Sequence, residues 1–315
     1  MSSYITLDSK IYIAGHNGMV GAACWRALEA KGYKNIIGFS SKELDLRDQK
    51  EVFNMLERER PATIIDAAAR VGGILANSTY PYEFLMDNML IQNNLIKAAH
   101  ELNIPKFIFL GSSCIYTKMA PQPLKEEYLL TAALEETNQW YAIAKISGVK
   151  LIEALRNQYN RDYVSLMPTN LYGPGDNYDL ETSHVLPAMI RKFHEAKLND
   201  HADVTLWGTG TPKREFLHVD DIASAVVFVL ENKMKESLYN VGSGIDLTIK
   251  ELANLVKQIV NHKGNIIWDN SKPDGTPRKL MEVSRLTKNG WNPRIILKEG
   301  ISITYKDFLN KIISV

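Results

Sequence analysis

Apolar residues keep two alternating rhythms along the first half of this 315-residue chain. Short runs rich in β-branched and aromatic residues (KIYIAG, NIIGF, ATIIDAAA, KFIFLGSS and DYVSLMP) read as strands. Between them, residues 19–30, 49–60, 82–100 and 139–158 carry apolar positions at helical spacing. Strands that are apolar on both faces need cover on both faces. The alternation therefore predicts an α/β fold, a doubly wound parallel sheet with helices on either side.

Past Pro168 the rhythm changes. TNLYGPGDNYDLETSH is rich in Gly, Asn, Asp and Pro and reads as a long loop of the kind that carries function. A helix over 185–197, a strand DVTLWG and a loop carrying Lys213 and Arg214 come next. A helix over 220–231 and a strand LYNVGS read as a return to the main sheet. Thr248 is placed to cap a helix running to residue 262, with Glu251 completing a capping box. SKPDGTPRK is a turn-rich loop, and a final helix is expected over 298–312. The expected organisation is one doubly wound domain, 1–168 with 219–245 returning to it, and a smaller C-terminal α/β domain built from 169–218 and 246–315.

Composition narrows the partners. Apolar residues at 45% and charged residues at 23% are ordinary globular values. A net charge of +1 gives no expectation of nucleic acid or a membrane surface as partner, so an anionic ligand must be held by a few local groups. The two cysteines, Cys24 and Cys114, cannot form a disulfide framework and point to a reducing compartment. The opening MSSYITLDSKIYIAG lacks the basic and apolar regions of a signal peptide, and no stretch reaches the roughly 18 apolar residues of a membrane span. A cytoplasmic protein is expected, with no metal site.

Gly15, Gly18 and Gly21 form G-x-x-G-x-x-G between the first strand and first helix. A bend there favours residues tolerant of positive φ, and a pyrophosphate needs close backbone approach to a helix N-terminus, so the loop predicts nucleotide binding. The second strand ends in GFSSKEL, where Ser40, Ser41 and Lys42 stand in place of a carboxylate that would accept ribose hydroxyls. That favours a 2′-phosphate and hence NADP, with a solvated surface lysine as the plain alternative for Lys42. Asp45 and Asp48 sit where adenine is contacted, or else serve to cap the next helix. Further on, Tyr141 and Lys145 lie four apart on one predicted helix and share a face, where an ammonium would lower the phenol's pKa. Ser112 and Cys114 end the preceding strand, where ligands bind in open α/β sheets.

The glycine loop, DAAA after the third strand, Ser112 and Tyr141-x-x-x-Lys145 together resemble the extended short-chain dehydrogenase/reductase superfamily, in order and over nearly the whole chain. AGHNGMVG, VGGILAN, GSSCIY, YAIAK, MPTNLYGP, GTGTPKREFLHVDD and SKPDGTPRK are similar to motifs of its nucleotide-sugar epimerase/reductases. The resemblance implies a Rossmann-like domain binding NADP(H) and a GDP-sugar substrate whose hexose is 4-keto and 6-deoxy. It also implies a bifunctional 3,5-epimerase and 4-reductase, and a homodimer joined through four helices.

The chemistry fits those residues. Hydride addition to a ketone leaves an alkoxide, so Tyr141 is the expected proton donor, Lys145 its tuning cation and Ser112 a hydrogen-bond partner of the same oxygen. A thiol with a pKa of about 8.5 can remove and return a carbon-bound proton if the carbanion is stabilised. A 4-keto group provides this at C3 and C5. Cys114 is then one acid/base group, and His184, which the resemblance designates, is the second on the opposite ring face. Cys24 reads as a small buried hydrophobe. A dehydratase of the superfamily carries Thr-Asp-Glu where this chain has Ser112-Ser113-Cys114, which favours epimerisation with reduction.

The resemblance further implies cofactor contacts from Gly15, Asn17, Gly18, Met19, Val20, Gly21, Ser41, Lys42, Asp45, Ala67, Ala68 and Ala69, and from Tyr141, Lys145, Pro168, Asn170, Leu171 and His184. Where those enzymes hold the 2′-phosphate with arginines, this chain has Asn17 and Ser41, leaving Lys42 and hydrogen bonds. Lys192, Trp207, Arg214 and Asp274 match their substrate contacts, and Arg278 adds charge nearby. Two other readings stay open: another nucleotide-sugar epimerase or reductase, and a non-catalytic NADP-sensing regulator, a class that typically lacks the tyrosine or lysine.

Overall fold

The computed structural model describes residues 5–272 and 274–313. The first half runs β1 (Ile11–Ala14), α1 (Met19–Ala30), β2 (Ile36–Ile37), α2 (Gln49–Glu59), β3 (Thr63–Asp66), α3 (Ile74–Thr79), α4 (Pro81–Glu101), β4 (Lys106–Leu110), α5 (Gln139–Tyr159) and β5 (Asp162–Pro168). The second half runs β6 (Asn170–Tyr172), α6 (Val185–Leu198), β7 (Val204–Trp207), β8 (Lys213–His218), α7 (Val219–Glu231) and β9 (Leu238–Val241). It ends with β10 (Asp246–Thr248), α8 (Ile249–Val260), β11 (Ile266–Asp269), β12 (Arg278–Lys279), α9 (Ser284–Thr287) and α10 (Leu297–Ile313).

Six strands form the main sheet in the order β2-β1-β3-β4-β5-β9, with every neighbouring pair parallel. The period-two alternation of a strand sorts its side chains to two faces. Tyr12, Ile64, Phe107, Phe109 and Tyr163 pack under α2, α4 and α5 with Val52, Leu56, Leu95, Val149 and Ile152. Ile11, Ile13, Ile65, Ile108 and Val164 face α1 and α7 through Cys24, Leu28, Ile222 and Val226. This is the doubly wound Rossmann-like arrangement expected from the alternation. Burying each such side chain stabilises the fold by about 1.5–3 kcal/mol.

Two smaller sheets follow: β10-β8-β12 with β6 also paired to β8, and β11-β7. A third core of Leu186, Ile190, Phe193, Leu252, Val256, Ile301 and Phe308 joins α6, α8 and α10 beside them. The capping box forms as expected: Glu251 N donates to Thr248 Oγ1 at 3.1 Å and Thr248 N to Glu251 Oε2 at 2.7 Å.

The expected loop carrying Lys213 and Arg214 is instead β8, the centre of its sheet. The start of the long polar loop is β6, and SKPDGTPRK ends in β12. These segments are strands because distant backbone groups pair with them, which no local pattern records. NIIGF keeps only Ile36–Ile37 as strand, at the sheet edge.

Asp176, in the loop that leads to α6, is buried beside Asp307 and Lys311, and burial chiefly holds its carboxyl up at about 7. The folded state prefers the protonated form, so its contribution is complete below about pH 4 and is lost as pH rises through about 7, by roughly 4 kcal/mol at most. Asp176→Asn is neutral at every pH and can still accept the Asn177 N–H that Asp176 Oδ1 accepts at 2.8 Å. Thermal melts should show the variant more stable than the parent at about pH 8 and level with it at about pH 4.

Candidate active site

The strands after β1 leave to opposite sides: β2 lies on one flank of β1 and β3 on the other. A crevice opens at such a switch point, at the carboxyl ends of the strands. Gly15 leaves β1 at φ +77°, and a Cβ there would stand 2.8 Å from the backbone of Ala68. A Cβ on Gly21 would meet Gly15 O at 2.1 Å, so the first turn of α1 packs against the loop only without a side chain. Gly18 caps α1 with no side-chain hydrogen bond, and the first turn holds no carboxylate. Its amide groups are therefore open to an anion. Asn17 and Gly18 are exposed at the mouth, Met19 and Val20 half-buried beside them, and Ala67, Ala68 and Ala69 form the opposite wall. Nδ1 of His16 is buried without a partner among the described residues. This cradle fits the pyrophosphate half of a dinucleotide.

Beyond β2, Ser40 N and Oγ both donate to Glu43 Oε2 at 2.7 Å, which ties the turn and leaves Ser41 and Lys42 exposed. Lys42 makes no ion pair among the described residues. Asp45 is bound by the backbone N–H and guanidinium of Arg47. Asp48 caps α2, accepting from Lys50 N and Glu51 N, so of its two readings the capping one is realised.

At the end of β4 the chain turns sharply, with Cys114 N donating to Ser112 Oγ at 3.3 Å. That turn sets Ser112 and Cys114 against α5, where Tyr141 and Lys145 share a face. Lys145 is 2% exposed; its Nζ donates to Leu110 O at 2.9 Å and lies 4.7 Å from the Phe109 ring centre and 5.8 Å from that of Tyr141. Burial lowers the Lys145 pKa, opposed by Asp66 and Cys114. The expected acidification of Tyr141 is not present here. Burial of the phenol in the cleft, then Cys114 and Asp66, push it above the ordinary value although the residue is half-buried, and Lys145 is turned to a carbonyl. The phenol is thus fully protonated, the state a proton donor needs.

Cys114 is 7% exposed, its thiol pushed up by burial and drawn down by Lys279, then Ser112 and Lys145. His184 precedes α6, at the end of a loop whose Thr182 O accepts from Gly73 N at 3.3 Å. The residue is exposed, yet desolvation of its imidazole, then the charge of Lys279, hold it below the usual imidazole value. Pro168 is buried at the end of β5, and Asn170 and Leu171 follow half-buried, with Asn170 Nδ2 donating to Glu215 O at 2.8 Å.

The remaining predicted contacts gather around β7 and β8. Lys192 Nζ donates to Thr205 O at 3.2 Å. Trp207 ends β7 at 68% exposure with Lys272 Nζ 5.6 Å from its ring, so it is a presented surface and not a core tryptophan. Asp274 accepts from Thr209 N and Oγ1 at 3.0 and 2.6 Å, which hold its carboxyl below the usual range. Arg214 reaches Gly275, and burial draws its guanidinium down. Arg278 is committed to an ion pair with Asp246.

Two groups were missed by sequence reasoning. Asp66 ends β3 fully buried, its carboxyl raised to about 6 by burial against the pull of Lys145, with Oδ1 accepting from Ala68 N at 3.2 Å. A carboxylate closing an apolar strand was its available signal. Lys279 carried no signal apart from its neighbours.

Residues 11–242 match the NAD dependent epimerase/dehydratase family. GDP-L-fucose synthase 1 of Arabidopsis thaliana is 52% identical over 312 residues, 99% of this chain and 97% of that protein. GDP-L-fucose synthase of Escherichia coli strain K12 is 50% identical over 309 residues, 95% of this chain and 96% of that one. The crystal structure of a GDP-L-fucose synthetase from Naegleria fowleri bound to NADP has a TM-score of 0.91 at 27% identity, covering 100% of this chain and 97% of that chain.

The two thiols differ in surroundings. Cys24 has no exposed surface and its thiol is pushed up to about 12 by burial, whereas Cys114 borders the cleft with two ammonium groups close by. Iodoacetamide at about pH 8.5 should label Cys114 at least about tenfold faster than Cys24, measured by peptide mass mapping.

Proposed function

This chain belongs to the NAD dependent epimerase/dehydratase family, and we propose that it converts GDP-4-keto-6-deoxy-D-mannose to GDP-L-fucose as a bifunctional 3,5-epimerase and NADPH-dependent 4-reductase. The reading rests on one observation above others: Ser112, Cys114, Tyr141 and Lys145 converge at the carboxyl end of β4 beside the glycine cradle. The roughly 50% identity to GDP-L-fucose synthases over nearly the full chain supports the substrate.

In the epimerase half-reactions, one of Cys114 and His184 takes the proton at C3 or C5. The C–H electron pair passes into the C4 carbonyl as an enolate, and the other group returns a proton to the opposite face. Bound NADPH supplies the hydride for C4. Tyr141 gives its proton to the developing O4 alkoxide and Ser112 donates a hydrogen bond to the same oxygen; Lys145, 5.8 Å from the Tyr141 ring centre, stabilises the remaining phenolate once it gives up the Leu110 carbonyl.

Residues 1–168 with 219–245 hold the cofactor in this reading: Gly15 to Gly21 the pyrophosphate, Lys42 and Ser41 the 2′-phosphate, and Asn170 and Leu171 the nicotinamide end. Residues 169–218 with 246–315 hold the GDP-sugar. Arg214 and Lys192 face the diphosphate, with Trp207 a surface for base or ribose and Asp274 a hydrogen-bond acceptor. Arg278 acts there only through Asp246, to which it is paired. The free thiols of Cys24 and Cys114 are in keeping with the cytoplasm, and no helix among the described residues is long and apolar enough to cross a membrane.

A homodimer is part of the same proposal. Tyr82, Met86 and Leu90 lie exposed on α4 at a spacing of four, and Trp140 and Ile143 lie exposed on α5. The two helices are locked side by side by Gln92 Nε2, which donates to Ala144 O at 2.6 Å and Ser147 Oγ at 2.8 Å. Pairing this double face across a two-fold axis gives a four-helix interface.

Two measurements test these proposals. In heavy water without NADPH, the protein should wash deuterium into C3 and C5 of the 4-keto substrate. Tyr141→Phe should retain that exchange while reduction falls about 100-fold or more, and Cys114→Ala should lose exchange by a similar factor. Normal exchange in Cys114→Ala would remove the thiol from the chemistry. Light scattering at micromolar concentration should report a dimer for the parent and a monomer for Leu90→Lys; a monomeric parent would sink the interface.

A further inference from the structure

Lys279 is a cation at the cleft that none of the roles above uses. β12 has two residues, laid parallel to β8 so that Arg278 pairs in register with Lys213 and Lys279 with Arg214. Arg278 spends its charge on Asp246. Lys279 is half-buried and makes no ion pair or side-chain hydrogen bond among the described residues. It borders a cavity of about 50 Å³ together with Cys114, Thr117, Asn138 and Thr276. The carboxylate nearest to it in charge, Glu135, is bound to Lys118 at 3.1 Å. Burial draws the ammonium's own pKa down, and the neighbouring thiolate charge opposes this; a cation without a counter-ion set beside a thiol favours loss of the thiol's proton.

Lys279 shares a cavity with Cys114, and after burial its charge is felt by both Cys114 and His184, drawing the thiol and the imidazole down. Resting on the epimerase reading, we infer that Lys279 is a positioning residue for epimerisation: its ammonium keeps the Cys114–His184 pair at a single transferable proton. Inversion by two groups requires one to be empty when the other is loaded. A pair holding two protons, as thiol and imidazolium, has no base. A nearby positive charge disfavours that state and leaves one proton to be shared between sulfur and nitrogen.

The other charges near the thiol do not replace it. From α5, Lys145 is turned to the Leu110 carbonyl and shares its field with Asp66 on β3, while Tyr141 is a neutral phenol. Lys118 and Glu135, on the cavity's rim, pair with each other, and Arg278 pairs with Asp246. Arg214 on β8 is a second cation beside Lys279, near Asp274, and it acts on Lys279 as a like charge. On His184, Lys279 is the only charge with a resolved effect among the described residues.

The rate of Cys114 alkylation by iodoacetamide, followed from about pH 6 to pH 10 by peptide mass mapping, reads the thiol's ionisation without any substrate. In Lys279→Met the midpoint should rise by about one pH unit, and Lys279→Arg should restore it to within a few tenths. Lys279→Gln, which keeps a polar side chain at this half-buried position, should behave like the methionine variant. The low-pH limb of deuterium exchange at C3 and C5 should move up by the same amount in the neutral variants. An unchanged midpoint in both neutral variants overturns the inference, as does a moved midpoint with an unmoved exchange profile. A parent protein that exchanges no deuterium overturns the epimerase reading instead, and is recognised without any variant.

Discussion

A buried carboxylate joins the two halves of this molecule. Glu215 on β8 has no exposed surface, and its Oε1 accepts from Gly244 N at 2.6 Å while Oε2 accepts from Met281 N at 2.9 Å. Its backbone carbonyl accepts from Asn170 Nδ2 and Thr169 Oγ1. One residue thereby ties the central strand of the second sheet to the end of β5, to the loop after β9 and to the strand-end carrying Lys279. Hydrogen bonds to a charged group are worth about 1.5–3 kcal/mol each, and without them the same charge would be costly in so dry a place. The loop after β9 is shaped to match: a Cβ on Gly242 would fall 2.3 Å from Oε1. Asn240 does similar work one strand-end earlier, donating from its backbone to Glu126 Oε1 and from its amide to Leu124 O and Glu282 O.

With the halves fixed in this way, the electrostatics of the cleft follow from burial. Lys145 is stripped of water and pulled down, Asp66 is pushed up, and the two moderate each other across the sheet end. Tyr141, near both, is left protonated. On the far side of the cleft Arg214 and Lys279 stand in register on neighbouring strands, and Asp274 acts on Arg214 from the adjoining loop. A site of this charge, beside a glycine cradle of open amides, is complementary to diphosphates at both ends. The net charge of +1 concealed this, because the cations are concentrated locally and balanced elsewhere on the surface.

Much of the candidate site was legible before any fold was known, where proximity depends on local spacing. Tyr141 and Lys145 are one helical turn apart and Ser112 and Cys114 share one short turn, so their proximity follows from the chain's own geometry. The glycine loop was legible for the same reason. Lys279 was hidden in a turn-rich segment, and Asp66 passed as part of an apolar run. Neither has a sequence neighbour that explains it.

What the sequence alone determined, then, was the alternation that builds the main sheet, the nucleotide cradle, the capping of α8 and the pairs set by helical or turn spacing. These depend on hydrophobic period, φ preference and hydrogen bonds spanning a few residues. Tertiary structure decided that Lys213–His218 is a strand, that Arg278 is taken by Asp246, that Trp207 faces solvent, and that Tyr141 is raised and not lowered. Each of these is settled by partners distant in the chain or by the exclusion of water. Backbone pairing across such distances and the desolvation of a charge are properties of the packed molecule, and no local stretch of sequence contains them.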